Sequence, residues 1–311
     1  MYYNSKYLKY KKKYIELKNK LVQKGGNLIE AVINKNLAQV IDFIKANVDL
    51  NIQDSNGYTA LIWASAQGYE EIVDVLIKAK VNLNIQDSNG YTALIWASAK
   101  GYKEIVVNLI EANAELNIQD TGGNTALIYA SAEGYEEIVD ELMMVRVNLD
   151  LQNEDGNTAL IEASHYGHFS IVKNITSDPD LIEIDLKNKN GNTALIEASH
   201  YGFRSIVDRL INAGANLDLQ NNDGNTALIE ASRKGYELIV LDFTRAGNEE
   251  AQEKYKEEKR IYEGMQYTHF LYIPTKVNLN LQNNDGNTAL IEASRKGYKL
   301  IVYLLNNAGA T

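Results

Sequence analysis

Cysteine is absent from the 311 residues, and histidine occurs only four times. No disulfide, thiolate nucleophile or cysteine-ligated zinc can form, and the chain suits a reducing compartment. No run of 18 apolar residues exists, so no helix is expected to span a membrane, and the Lys-rich start has no apolar stretch like that of a signal peptide. These absences make an intracellular site, host cytoplasm included, the default expectation, with virion association left open. No phosphate loop, nucleophile elbow or His-Glu-x-x-His motif occurs. An enzyme, a cofactor and a small-molecule substrate are therefore not expected.

Basic residues are scarce outside one segment. The net charge is -10, but residues 1–24 hold eight Lys and one Glu, so this +7 segment leaves -17 on the rest. An acidic body is a poor platform for nucleic acid, whose affinity comes from Lys and Arg neutralising phosphates. Any membrane contact is confined to residues 1–24.

What is present is repetition. GYTALIWASAQG from Gly57 recurs with small changes from Gly90, Gly123, Gly156, Gly191, Gly224 and Gly286, and a second glycine follows each eleven residues later, from Gly68 to Gly297. The step is 33 residues, except 35 before Gly191 and 62 before Gly286. A fixed period of this length predicts an all-α repeat solenoid of helix-turn-helix units. Asp-Ser-Asn-Gly at 54–57 and Asn-Glu-Asp-Gly at 153–156 predict β-hairpin tips, with Gly supplying a positive φ. Thr59 and its equivalents stand at the helix N-cap. Leu61, Ile62, Ala64 and Ser65 face inward, Gly68 ends the first helix left-handed, and Ile72, Val73, Leu76 and Ile77 give the second its buried face. After the second helix a capping position holds Gly214 and Gly309, but Asn47, Lys80, Asn113 and Arg146 elsewhere. A left-handed Lys or Arg costs about 1–2 kcal/mol, which predicts strain or a different shape there.

Residues 1–26 read as a basic amphipathic helix. Tyr3, Tyr7, Tyr10, Tyr14, Leu17 and Leu21 keep helical spacing, and Gly25 and Gly26 stop it. It can pack on the array or stay mobile, rest on an anionic surface, or form a short coiled coil. Residues 27–311 read as the array, about eight units with a degenerate first one over 27–54. An insertion at about 246–275 interrupts it: 246–265 reads as a charged helix and 267–273 is rich in aromatics, which fits a binding element or a decayed repeat. Ser177-Asp178-Pro179-Asp180 reads as a two-residue loop insertion. At the far end Tyr303 and Leu304 lie on a helix with no following repeat, so this end is either covered by another element or frays.

Hairpin, Thr-Ala-Leu, Ala-Ser, helix turn at Gly and a second apolar helix together resemble the ankyrin repeat over about 27–311. The family's usual Pro and His are replaced by Ala60 and Ile62, which removes a His-to-Thr hydrogen bond and predicts looser tips. KYLKYKKKYIELK, starting at Lys6 with the sequence order of residues 6–18, resembles N-terminal extensions of giant DNA virus proteins, so the combined resemblance is to their mimivirus-like ankyrin proteins.

The resemblance implies a concave face carrying Trp63, Trp96, Tyr129, Glu162, Glu197, Glu230 and Glu292, one per unit. Aromatic anchors and flanking charges suit partner recognition, although Trp96 can also repeat Trp63 through duplication alone. His165, His168 and His200 with Glu162 and Glu197 are the best metal candidate, but residues one repeat apart are expected roughly 8–10 Å apart, too far for zinc bonds of about 2 Å. Glu162 with His165, Glu197 with His200, Glu230 with Arg233 and Glu292 with Arg295 instead predict i, i+3 surface ion pairs. The expected function is non-catalytic binding of a protein partner of unspecified identity, through the groove and hairpin tips, by a viral protein acting on host or viral proteins. The alternative is a structural or virion-associated protein tethered to a membrane surface by residues 1–24.

Overall fold

The computed structural model describes residues 27–245 and 277–311. The expected helix over 1–26 and the insertion, including its charged helix, lie outside the described residues. Sixteen α-helices occur among the latter, in eight pairs. The first members are α1 (Leu28–Ile33), α3 (Ala60–Gln67), α5 (Ala93–Lys100), α7 (Ala126–Glu133), α9 (Ala159–Tyr166), α11 (Ala194–Tyr201), α13 (Ala227–Lys234) and α15 (Ala289–Lys296). The second members are α2 (Leu37–Lys45), α4 (Glu70–Lys78), α6 (Lys103–Glu111), α8 (Glu136–Met144), α10 (Phe169–Ile175), α12 (Arg204–Asn212), α14 (Glu237–Arg245) and α16 (Lys299–Asn307). The chain divides into two compact units, one reaching Ala130 and including Glu137–Val147, the other formed by Ser131–Glu136 and Asn148–Thr311.

Helix α1 starts on Asn27, whose Oδ1 accepts from Glu30 N at 2.7 Å, and every later first member starts on a threonine cap. Thr59 Oγ1 accepts from Ile62 N at 3.1 Å, giving a partner to one of the amides that a helix start leaves unpaired. The helix ends at Gly68, whose φ of 72° suits a residue without Cβ. Gly68 also makes room: a Cβ there would lie 2.9 Å from the Tyr102 ring of the next pair. In the first pair Lys35 takes this place, with φ 51°. Lys80 and Arg146, after second helices, are likewise left-handed at φ 59° and 57°, as are Asn47 and Asn113.

Burial follows the repeat. Leu61, Ile62, Ala64 and Ser65 are buried on α3, and Ile72, Val73 and Leu76 on α4. The small Ala-Ser face lets first helices pack side by side: α3 meets α5 in the first unit, while α9, α11, α13 and α15 follow one another in the second. Across α12 and α14, Arg204 makes a two-pronged bond to Asp242, at 2.7 and 2.9 Å.

The expected β-hairpins are turns, with no strand among the described residues. Each tip closes on two backbone bonds, Asp54 N to Tyr58 O and Gly57 N to Asp54 O, too few to start a ladder. Side chains complete the tip. Asp54 Oδ1 accepts from Asn56 N and Tyr58 N, and Gln53 Nε2 donates to Gly57 O at 2.7 Å and to Gln86 O of the next repeat at 2.9 Å. With Ser88 N donating to Asn56 O, these bonds tie neighbouring tips where the family's histidine is missing. Lys187 stands in the glutamine position and donates to Gln220 O at 2.8 Å.

The two-residue insertion forms a 3-10 turn, Pro179–Leu181. The long insertion leaves the stack unbroken: α13 packs on α15 and α14 on α16, Gln220 Nε2 donates to Gln282 O at 2.8 Å, and Asn284 N donates to Asp223 O. The last pair exposes Ile291, Leu300 and Tyr303. No described helix is long and apolar enough to cross a membrane.

Candidate functional site

Three positions in each repeat meet at the base of the tip: the residue opening the turn, the residue after its glycine, and the fourth residue of the first helix. In the first unit they are Asp54, Tyr58 and Trp63, then Asp87, Tyr91 and Trp96, then Asp120, Asn124 and Tyr129. In the second they become Asn153, Asn157 and Glu162, and the same Asn-Asn-Glu set follows at 188, 192 and 197, at 221, 225 and 230, and at 283, 287 and 292. The carboxylate moves from the turn to the helix, and the direction of hydrogen bonding reverses with it.

In the first unit the helix residue donates. Trp63 Nε1 reaches Asp54 Oδ2 at 3.0 Å, Trp96 Nε1 reaches Asp87 Oδ2 at 2.9 Å, and Tyr129 Oη reaches Asp120 Oδ2 at 2.7 Å. Tyr91 and Tyr129 share a hydroxyl-to-hydroxyl bond. The rings form an unbroken run: Trp63 to Tyr58 at 4.9 Å between centroids, Tyr58 to Trp96 at 6.0 Å, Trp96 to Tyr91 at 4.7 Å and Tyr91 to Tyr129 at 5.5 Å. Such tilted spacings lie within the favourable range for aromatic pairs. All five rings are half-buried. Lys100 Nζ stands 5.8 Å over the Trp96 ring.

Burial works against ionisation of Asp54, but bonds from the Trp63 indole and the Tyr58 and Asn56 amides outweigh it and hold its carboxyl below the usual range. Burial pushes the Tyr129 hydroxyl far up, reinforced by its bonds with Tyr91 and Asp120, so it remains a donor. Burial raises Tyr58 too, helped by the charges of Asp87 and Asp54.

In the second unit the turn residues donate. Asn157 Nδ2 reaches Glu162 Oε1 at 2.8 Å, and Asn192, Asn225 and Asn287 reach Glu197, Glu230 and Glu292 at the same distance. Glu197, Glu230 and Glu292 are buried, not surface residues as expected. Their side-chain partners also correct the sequence reading. His165 Nδ1 lies 3.1 Å from Glu197, and His200 Nδ1 lies 3.0 Å from Glu230, so both histidines reach the following repeat instead of their own helix. Arg233 and Arg295 do pair within their helices, with Glu230 at 2.6 Å and Glu292 at 3.3 Å. The third histidine, His168, binds Ala132 O through Nε2 at 3.0 Å. Among the described residues no three His, Asp or Glu side chains gather as metal ligands would.

The structure therefore brings Trp63, Trp96 and Tyr129 into one aromatic row, and Glu162, Glu197, Glu230 and Glu292 into equivalent positions in the second unit. Sequence reasoning missed Tyr58, Tyr91 and the aspartates below them. The signal lay in the internal repeats: a turn aspartate accompanies an aromatic nine residues later, and a turn asparagine accompanies a glutamate.

Paired helices joined by bonded turns, with like residues in register, define a helical repeat protein. A family model described as ankyrin repeats matches in three copies, over 28–120, 101–183 and 178–242. The chain belongs to the ankyrin-repeat family. A comparison with curated proteins returns no match. Ankyrin repeats generally mediate protein-protein interaction and are typically non-catalytic.

Proposed function

We propose that the chain binds a protein partner without catalysis, through the row Trp63, Trp96, Tyr129, Glu162, Glu197, Glu230 and Glu292 and the adjoining tips. One observation carries this: the row residues are locked by neighbours on their own tips, so the surface is set before a partner arrives and little ordering cost remains at binding. Half-buried aromatics supply contact area and the half-buried Glu162 supplies a fixed charge, while the buried Glu197, Glu230 and Glu292 act by holding the tip asparagines in place. The test is a pull-down from cell lysate with the wild-type chain and with Trp63→Ala/Trp96→Ala/Tyr129→Ala, after circular dichroism has confirmed both folds. A partner retained by the first and lost by the second supports the reading. Identical partners on both baits would move the site elsewhere.

The KYLKYKKKYIELK resemblance supports a viral setting, with host or viral proteins as partners. The +7 charge of residues 1–24 favours a second reading, a tether to an anionic surface. Sedimentation with anionic vesicles, with and without residues 1–24, separates the two: negligible vesicle binding by both forms removes the tether.

A further inference from the structure

We propose that the aromatic row of the first unit recognises cationic side chains, and that its occupant is an extended partner segment bearing Arg at every third residue. This rests on the binding role given to the row above and names the chemistry of its partner.

The indole N–H groups of Trp63 and Trp96 and the hydroxyl of Tyr129 are already committed to Asp54, Asp87 and Asp120. The row therefore offers ring surfaces more than donors. Ring faces carry negative potential and attract ammonium and guanidinium groups. A carboxylate accepting from an indole N–H places negative charge at the ring edge and makes the ring more electron-rich. Asp87 and Asp120 are 6% and 9% exposed, and none of the three aspartates forms an ion pair among the described residues. Lys100 over Trp96 shows that a cation fits the face. The glutamates of the second unit differ: Glu197, Glu230 and Glu292 already have His165, His200, Arg233 and Arg295 as partners. Among the described residues, carboxylates that accept from a Trp or Tyr of the row and form no ion pair belong to the first unit alone.

Spacing selects the occupant. Packed neighbouring helices lie about 8–10 Å apart, and a polyproline II segment advances about 9 Å in its three-residue turn. Arginines at i, i+3 and i+6 then lie on one face, in step with Trp63, Trp96 and Tyr129.

The experiment titrates the full chain with (Arg-Pro-Pro)4 and follows tryptophan fluorescence, beside (Glu-Pro-Pro)4 and a peptide of equal composition with its four Arg contiguous. Expected results are binding of the spaced peptide about tenfold tighter than the contiguous one, no binding of the Glu peptide, and a loss of about tenfold in Trp96→Leu. Asp54→Asn keeps an acceptor for Trp63 and is expected to weaken binding about threefold, so the proposal stays testable if Trp96→Leu is poorly folded. Equal affinity for both Arg peptides, unchanged in the variants, would mean diffuse attraction to an acidic surface and would overturn the proposal. Binding that appears only after removal of residues 1–26 would overturn it too, making the chain's own Lys-rich segment the occupant. A lysate partner lost with the aromatic row, together with no peptide binding, would leave the interaction reading standing and sink the cationic one.

Discussion

Trp96 Nε1 donates to Asp87 Oδ2 at 2.9 Å, joining the first helix of a repeat to the turn that precedes it. The same pairing sits at Trp63 and Asp54, but Asp87 is buried whereas Asp54 is half-buried. Trp96→Phe keeps the ring and removes the donor. A bond to a charged group contributes about 1.5–3 kcal/mol, so Trp96→Phe is expected to lower unfolding free energy by about 2 kcal/mol, and Trp63→Phe by less. Urea denaturation of both, with Asp87→Asn completing a double-mutant cycle, measures this. A coupling near zero between positions 87 and 96 would refute it.

Gly167 and Gly297 share a left-handed conformation, at φ 83° and 76°, but differ in what faces them. A Cβ at Gly167 would lie 2.7 Å from the Phe203 ring, whereas one at Gly297 meets nothing within 4 Å. Gly297→Ala is expected to cost about 1 kcal/mol from backbone strain alone. Gly167→Ala adds overpacking of about 1–3 kcal/mol. Thermal midpoints of the two variants should rank accordingly, and equal midpoints would contradict the account.

Lys80 holds φ 59° where Gly214 and Gly309 occupy the equivalent place. Lys80→Gly relieves strain but adds freedom to the unfolded chain. The expected net gain is about 0.5–1 kcal/mol, read as a higher urea midpoint with an unchanged slope. A lower midpoint would show that the lysine is unstrained.

Burial raises the Asp185 carboxyl, against the opposing pull of the Asn216 amide and the Lys187 charge. Because its folded pKa lies above the unfolded one, ionisation costs the folded state; stability falls as pH rises through this interval and the penalty is complete above it. Asn51 and Asn84 fill the same role of accepting an amide from the next repeat. Asp185→Asn is thus expected to raise the thermal midpoint at pH 7 by about 1–2 °C and to give no gain at pH 3. An equal gain at both values would point to a cause other than charge burial.

Much of this was legible because the helix pair is encoded along the chain. The threonine caps, the glycine stops and the junctions at Asn47, Lys80, Asn113 and Arg146 all follow from local backbone geometry. What failed was pairing between repeats. Spacing along one helix put His165 beside Glu162, but the side chain leans toward the next repeat and meets Glu197. The turns look like hairpins in sequence because Asp-Ser-Asn-Gly is hairpin chemistry; Asp54 and Gln53 satisfy the backbone instead, and no ladder grows. The aspartates bonded to the tryptophans are not legible from turn chemistry, which specifies backbone geometry at Asp54 and Asp87 but not the side-chain donor that reaches them from the following helix.

Gln220 donates to Gln282 O across 62 residues just as Gln53 donates to Gln86 O across 33. Nearly doubling a closed loop costs only about 0.6 kcal/mol in chain entropy, a small charge against the helix packing and turn bonds regained on its far side. The junction between Arg245 and Val277 is therefore a port: a foreign segment whose ends arrive at those two residues can be grafted there while the last repeat keeps its seat.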